Sequence, residues 1–282
     1  MPSTRDTIAP PVRRIVGGRR FDLRGILRDL ATGFRHHEVW LAFAWDEIQN
    51  RYRRSALGLA WLAISYLIYV FAIATFFGGF SGLDGRLFVQ HVAFGMLIYN
   101  VVIGNIVDGC SVFVRASGWV KSASLPYAVY VYRGVSRAAF PFAVQAAVAA
   151  VLMPLFGWRP EPIGLMAAPA LLLIIVLGVA VQYALGLVCA RVRDIEHFVQ
   201  AVSRVFFFTT PILWVYEETE GVRRQLADII PITPFIEIFR DPLLGMAPDP
   251  AQWAQALAWT ALAWAAAVLL GAAMRSKLPF WV

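Results

Sequence analysis

Charge is what this sequence has least of. Asp, Glu, Lys and Arg make up 15% of its 282 residues, where an ordinary soluble domain carries about a quarter. So few charges cannot cover the surface of a compact water-soluble fold of this length. The four histidines, His36, His37, His91 and His197, are spread over different segments, which argues against a zinc site. No P-loop, H-E-x-x-H helix or G-x-S-x-G elbow occurs, so neither ATP hydrolysis by this chain itself nor those hydrolase chemistries are expected. A D-x-D pair is missing too, which weakens a metal-dependent glycosyltransferase reading. What is abundant is apolar surface: hydrophobic residues reach 59%, aromatics 14%, and the mean hydropathy is +0.63. That excludes disorder. The net charge of +7 does not point to nucleic acid, because a nucleic-acid binder has no use for uncharged runs longer than twenty residues. The composition is that of a membrane protein.

Uncharged runs of 29, 21, 21, 29 and 25 residues follow Arg54, Arg86, Arg137, Glu161 and Asp249. Each is long enough to cross roughly 30 Å of hydrocarbon as a helix. A sixth stretch, Phe198 to Tyr216, is apolar apart from Arg204. The expected spans are about 57–80, 87–107, 138–157, 163–190, 198–216 and 251–274. No alternating ten-residue pattern of a membrane barrel appears, so the fold is expected to be all-α. Residues 1–35 hold eight arginines and no apolar core of a cleaved signal; they read as a cytoplasmic tail, 36–56 as an amphipathic interface helix, and 57–282 as the transmembrane domain.

Orientation follows from Lys and Arg. In a six-span arrangement 20 of the 25 fall on one side, so both termini are expected in the cytoplasm. Cys110 and Cys189 then lie near cytoplasmic span ends, where a disulfide is not expected. The segment 217–250 carries seven acids against three arginines and belongs outside. Its Glu217, Glu218 and Glu220 form the one dense carboxylate cluster, read as a solvated loop.

The cytoplasmic edges carry the local signals. In 36–54, Leu41, Trp45, Ile48 and Tyr52 recur on one helical face, with Arg51, Arg53 and Arg54 at its end, a pattern suited to the membrane interface. The loop 108–137 is too long for a simple turn and contains Ser117, Trp119 and Lys121. The segment 191–197 is short and densely charged: Arg191, Arg193, Asp194, Ile195 and Glu196 are what a cytoplasmic partner could grip. Few ionisable groups occupy the span interiors, so an ion-coupled engine is not expected.

The stretch Glu47-Ile48-Gln49-Asn50-Arg51-Tyr52-Arg53-Arg54-Ser55-Ala56-Leu57-Gly58-Leu59-Ala60-Trp61 resembles the D-I-x-x-R-Y-R-x-S-x-L-G-x-x-W signature of ABC-2 permeases that export polysaccharides. Three further blocks agree in order: HVAFGMLIYNVVIGNIVDGCSVFVRASGWVKSASLPYAVYVYR, RVRDIEHFVQ, and FFFTTPILW followed by PITPFIEIFRDPLLG. The resemblance implies an ABC-2 exporter fold with six transmembrane helices, an N-terminal interface helix and short re-entrant helices before the last span, where Pro231, Pro234 and Pro242 interrupt the chain. It implies a homodimer that engages two copies of a cytoplasmic ABC ATPase, and it makes ATP and Mg ligands of that ATPase; this chain has no cofactor or metal of its own. The implied substrate is a lipid-linked polysaccharide such as O-antigen, capsule or a teichoic-acid-like polymer. Residues 115–126 and 191–197 become the coupling elements. Members nearest O-antigen export often carry a His-Asn pair early in the third span, where Val144 and Gln145 stand here. A permease for a small drug or lipid is the alternative, and a membrane-embedded lipid-modifying enzyme is a weaker one.

Substrate contacts follow from chemistry. Arg204, the lone formal charge inside a span, costs about 2.5–3.5 kcal/mol at mid-bilayer and could receive a lipid phosphate, supported by Arg51, Arg53 and Arg54. Tyr66, Tyr69 and Phe207 are the expected channel-lining aromatics, since sugars stack on aromatic faces.

Overall fold

The computed structural model describes residues 21–53, 56–216 and 221–282. Among them every regular element is helical: α1 Leu23–Arg35, α2 His37–Tyr52, α3 Ala60–Phe77, α4 Gly85–Ser111, α5 Ser117–Ser122, α6 Ala128–Leu152, α7 Ala167–Arg191, α8 Asp194–Thr209, α9 Val222–Ile229, α10 Thr233–Leu243 and α11 Pro250–Met274, with short 3-10 turns at several ends. Five described segments are long and apolar enough to cross a membrane: Ala60–Phe80, Gly85–Ser111, Ala128–Phe156, Pro162–Arg191 and Pro250–Phe280. The sixth expected stretch forms α8, which has only 16 residues and covers about 24 Å. It stops where it does because Pro211 pushes Thr210 into extended backbone (φ −85°, ψ 150°).

Two helices make the centre. α4 is the most enclosed of the five crossing segments, and it lies beside α7 with the same chain direction. Small residues allow that approach. A methyl group on Gly109 would sit 2.9 Å from Gln182 Cα, and one on Gly178 would sit 2.8 Å from Asn105 Oδ1. On α6, a methyl on Gly134 would collide with Gln182 Oε1. The pocket these glycines leave holds a fully buried amide pair, Gln182 Nε2 donating to Asn105 Oδ1 at 2.7 Å.

Both described ends of the chain meet at one end of the bundle, here termed basal. The Asp22 amide donates to the Ala272 carbonyl, and Arg275 Nη1 donates to the Gly25 carbonyl at 2.8 Å. Buried Asp29 on α1 is the keystone. Its two carboxylate oxygens accept the Tyr127 and Ala128 amides at 2.9 Å each, and one also accepts the Tyr183 hydroxyl at 3.1 Å. The first α6 amides have no partner within their own helix, so a side chain from a distant segment caps α6. Burial pushes the Asp29 carboxyl above its ordinary value, with the amide bonds and Arg275 opposing the shift. The segment read as a tail to residue 35 thus contains a helix built into the bundle. The loop expected across 108–137 is largely helical: α4 runs on to Ser111, α5 follows, and α6 starts at Ala128.

Candidate functional site

A cleft of about 690 Å³ opens between α3, α4, α6 and α8. Its lining includes Tyr66 and Tyr69 of α3, Tyr99 and Asn100 of α4, Gln145 of α6, and Gln200, Arg204 and Phe207 of α8. Three lining aromatics singled out from sequence and Arg204 therefore share a single cavity. Their surroundings differ. Tyr66 is buried and its hydroxyl donates to the Ala93 carbonyl at 2.9 Å, so it packs α3 onto α4. Tyr69 is 60% exposed. Phe207 meets Tyr99 edge-on at 5.5 Å, and the Tyr99 hydroxyl donates to the Ser203 carbonyl at 2.9 Å, which seats α8 on α4. Arg204 is exposed into the cleft. Asn100 Nδ2 donates to Gln145 Oε1 at 3.2 Å, placing an amide pair on the wall. The cleft thus offers one cation, amides and aromatic faces, groups that suit an anionic, hydroxyl-rich or aromatic-stacking ligand.

The basal end carries the other residues read from sequence. α5 is held by buried Val120 and leaves Trp119 53% exposed, its ring 5.3 Å from that of Phe43 on α2. Lys121 is exposed and Ser117 half-buried beside it. The segment 191–197 is a break of two residues, Val192 and Arg193, between α7 and α8, with Asp194 and Glu196 in the first turn of α8. Acids there suit the positive end of the helix dipole. Arg191, Arg193 and Asp194 are exposed, Ile195 and Glu196 half-buried. The Arg191 guanidinium lies over the Trp281 ring at 5.9 Å, and the C-terminal turn Arg275–Phe280 touches both α5 and the end of α7. The two charged segments therefore flank one shared C-terminal element.

α2 differs from the expected interface helix in how it is used. Ala44 and Ile48 are buried against α6, while Leu41 and Trp45 remain exposed. Arg51 is exposed at its end, and Arg53 follows immediately. Arg54 lies outside the described residues, as do Glu217, Glu218 and Glu220.

Two charged clusters escaped the sequence reading. At the basal end Glu47 of α2, Asp108 of α4 and Arg133 and Arg137 of α6 form a chain of ion pairs that Arg115 extends. At the opposite end Arg240, fully buried, donates to Glu237 Oε1 at 2.7 Å, the Pro211 carbonyl at 2.6 Å and Asp241 Oδ1 at 3.3 Å. Its Nη1 also lies 3.2 Å from His91 Nε2 of α4. This knot ties α10, the 210–216 turn and α4 together. Only the Glu-x-x-Arg spacing, which puts both side chains on one helical face, hinted at it. Among the described residues no group of three or more His, Cys, Asp or Glu could hold a metal, and both cysteines are free and buried.

The sequence matches the ABC-2 type transporter family over residues 38–244. The matched region runs from α2 to the last turn of α10 and includes every lining residue of the cleft. This chain belongs to the ABC-2 type transporter family. It is a multi-pass membrane permease subunit of an ABC transporter, and permeases of this family normally work with an ABC ATPase. No curated protein matches the chain.

Proposed function

We propose that this ABC-2 permease exports a lipid-linked polysaccharide, such as O-antigen, capsule or a teichoic-acid-like polymer, from the cytoplasm across a bacterial inner membrane. The observation that carries the reading is the cleft, where Arg204 stands with Tyr69, Phe207, Asn100 and Gln145. A guanidinium suits the phosphate of a lipid carrier, and aromatic faces with neighbouring amides suit successive sugars. Two permeases would form the conduit as a homodimer, with two ABC ATPases beneath.

In this reading the basal end is cytoplasmic and holds both termini. α8 and the turn through residue 216 complete a sixth passage, because α7 ends basally and α11 starts at the opposite end. The re-entrant elements are α9 and α10. The α7–α8 break and α5 receive the ATPase stroke, and the C-terminal turn between them makes them move together as a rigid unit. ATP and Mg are bound by the partner; this chain supplies the path.

The test is substrate-stimulated ATP hydrolysis and export by the permease reconstituted with its partner ABC ATPase. R193A/D194A should abolish stimulation with normal membrane insertion. R204Q should weaken substrate binding more than stability. Normal export by R193A/D194A would refute the coupling assignment, and unchanged binding by R204Q would refute the phosphate role.

A further inference from the structure

We infer that a phosphate ester on a membrane amphiphile docks at the basal mouth of the cleft, on Arg133, Arg137 and Arg115, with Glu47 as its displaceable counterion. This deepens the export reading by naming where the anionic end of a cargo first meets the protein.

The cluster has an imbalance of charge. Three guanidinium groups share two carboxylates: Arg115 Nη1 stands 3.3 Å from Asp108 Oδ1, Arg137 Nη2 3.1 Å from Asp108 Oδ2, and Arg137 Nη1 3.4 Å from Glu47 Oε2. The same Glu47 oxygen is the one that Arg133 reaches, and only at 3.9 Å from its Nε. The side chains of Arg133 and Arg137 are 8% and 9% exposed. Their Nε atoms are buried without a hydrogen-bond partner among the described residues. Arg137 is paired with Asp108 as well as Glu47, whereas among the described residues Arg133 has only a long contact to the shared Glu47 oxygen and the Tyr130 ring 5.8 Å from its guanidinium. A buried cation so weakly compensated is costly. A further anion would relieve that cost.

The setting selects which anion. Arg133 and Arg137 occupy the basal end of the crossing segment Ala128–Phe156, about five and nine residues from its start, which is headgroup depth. Glu47 is 32% exposed, Asp108 26% and Arg115 42%, so the cluster opens outward. Val107, adjacent to Asp108, lines the cleft, and so does Gln145 on α6, about 12 Å along that helix from Arg137. At this depth the plentiful anions are phosphate esters of amphiphiles, and a guanidinium fork matches phosphate oxygens. Glu47 is itself part-exposed, so its side chain can turn to solvent while Ala44 and Ile48 keep α2 seated on α6.

The test is lipid selectivity of the full-length permease in nanodiscs, read as motional restriction of spin-labelled phosphatidylglycerol against spin-labelled phosphatidylcholine. The wild type should prefer phosphatidylglycerol, by roughly fivefold per engaged arginine. R133Q/R137Q should bring the preference close to one. E47Q, which removes the carboxylate that Arg133 and Arg137 share, should raise it severalfold, a change in the direction opposite to that of a merely destabilised protein. Millimolar inorganic phosphate should not displace the labelled lipid. A wild type without preference, an E47Q variant with reduced preference, or displacement by inorganic phosphate would each overturn the assignment. The measurement involves no transport, so its failure leaves the export reading to its own assay, and loss of export does not decide this one.

Discussion

Replacing Arg240 by alanine is the sharpest single test of what holds the distal end together. Its guanidinium has no exposure and serves Glu237, Asp241, the Pro211 carbonyl and His91 at once. Truncation removes the cation from two carboxylates that are themselves buried, Glu237 at 1% and Asp241 at 6% exposure. Breaking a buried pair by removing one partner costs about 3–5 kcal/mol. For a chain of this size each kcal/mol moves the midpoint by roughly 2–4 °C, so R240A should melt roughly 6–20 °C below the wild type. Fluorescence-detected size exclusion after heating the detergent-solubilised permease measures this. Charge, not packing, is the claimed cause, so R240A/E237A should melt above R240A alone. The coupling between the two sites should be about 0.5–3 kcal/mol. A shift under 2 °C in R240A, or strictly additive losses, would refute the reasoning.

Other outcomes follow from the same geometry. D29A removes the cap of α6 and should cost about 3 kcal/mol, with faster proteolysis within α1 as the readout. Because burial raises the Asp29 carboxyl in the folded state, its contribution to stability is greatest when it is protonated, below about pH 3.9. That contribution falls as pH rises through the raised value, and D29N should flatten that part of the pH–stability profile. G109A puts a methyl 2.9 Å from Gln182 Cα and should cost about 1–3 kcal/mol by overpacking, seen as a lower melting point. Y66F, which loses a buried bond to Ala93, should cost about 1 kcal/mol. Y69A should leave stability unchanged while reducing substrate-stimulated ATP hydrolysis.

The sequence alone determines the class of this protein, since uncharged runs of helical length have no stable place except a bilayer. Its residue order also carries the permease resemblance, because local signatures such as the Arg-rich end of α2 and the Arg-Val-Arg-Asp break between α7 and α8 need no knowledge of distant neighbours. Arg204, Asn100 and Gln145 stand in the sequence as isolated polar residues, and nothing in their spacing shows that one cleft gathers them. Tertiary structure alone decides the rest. Asp29 caps a helix nearly a hundred residues away, Glu47 pairs with arginines ninety residues on, and Arg240 reaches His91 across 149 positions. Periodicity reports which face of a helix is apolar; it does not report which distant charge that face will meet. α1 and α8 show the limit most plainly. An arginine-rich stretch read as a tail folds because its aspartate finds unpaired amides elsewhere, and the helix of the sixth apolar stretch is ended early by one proline.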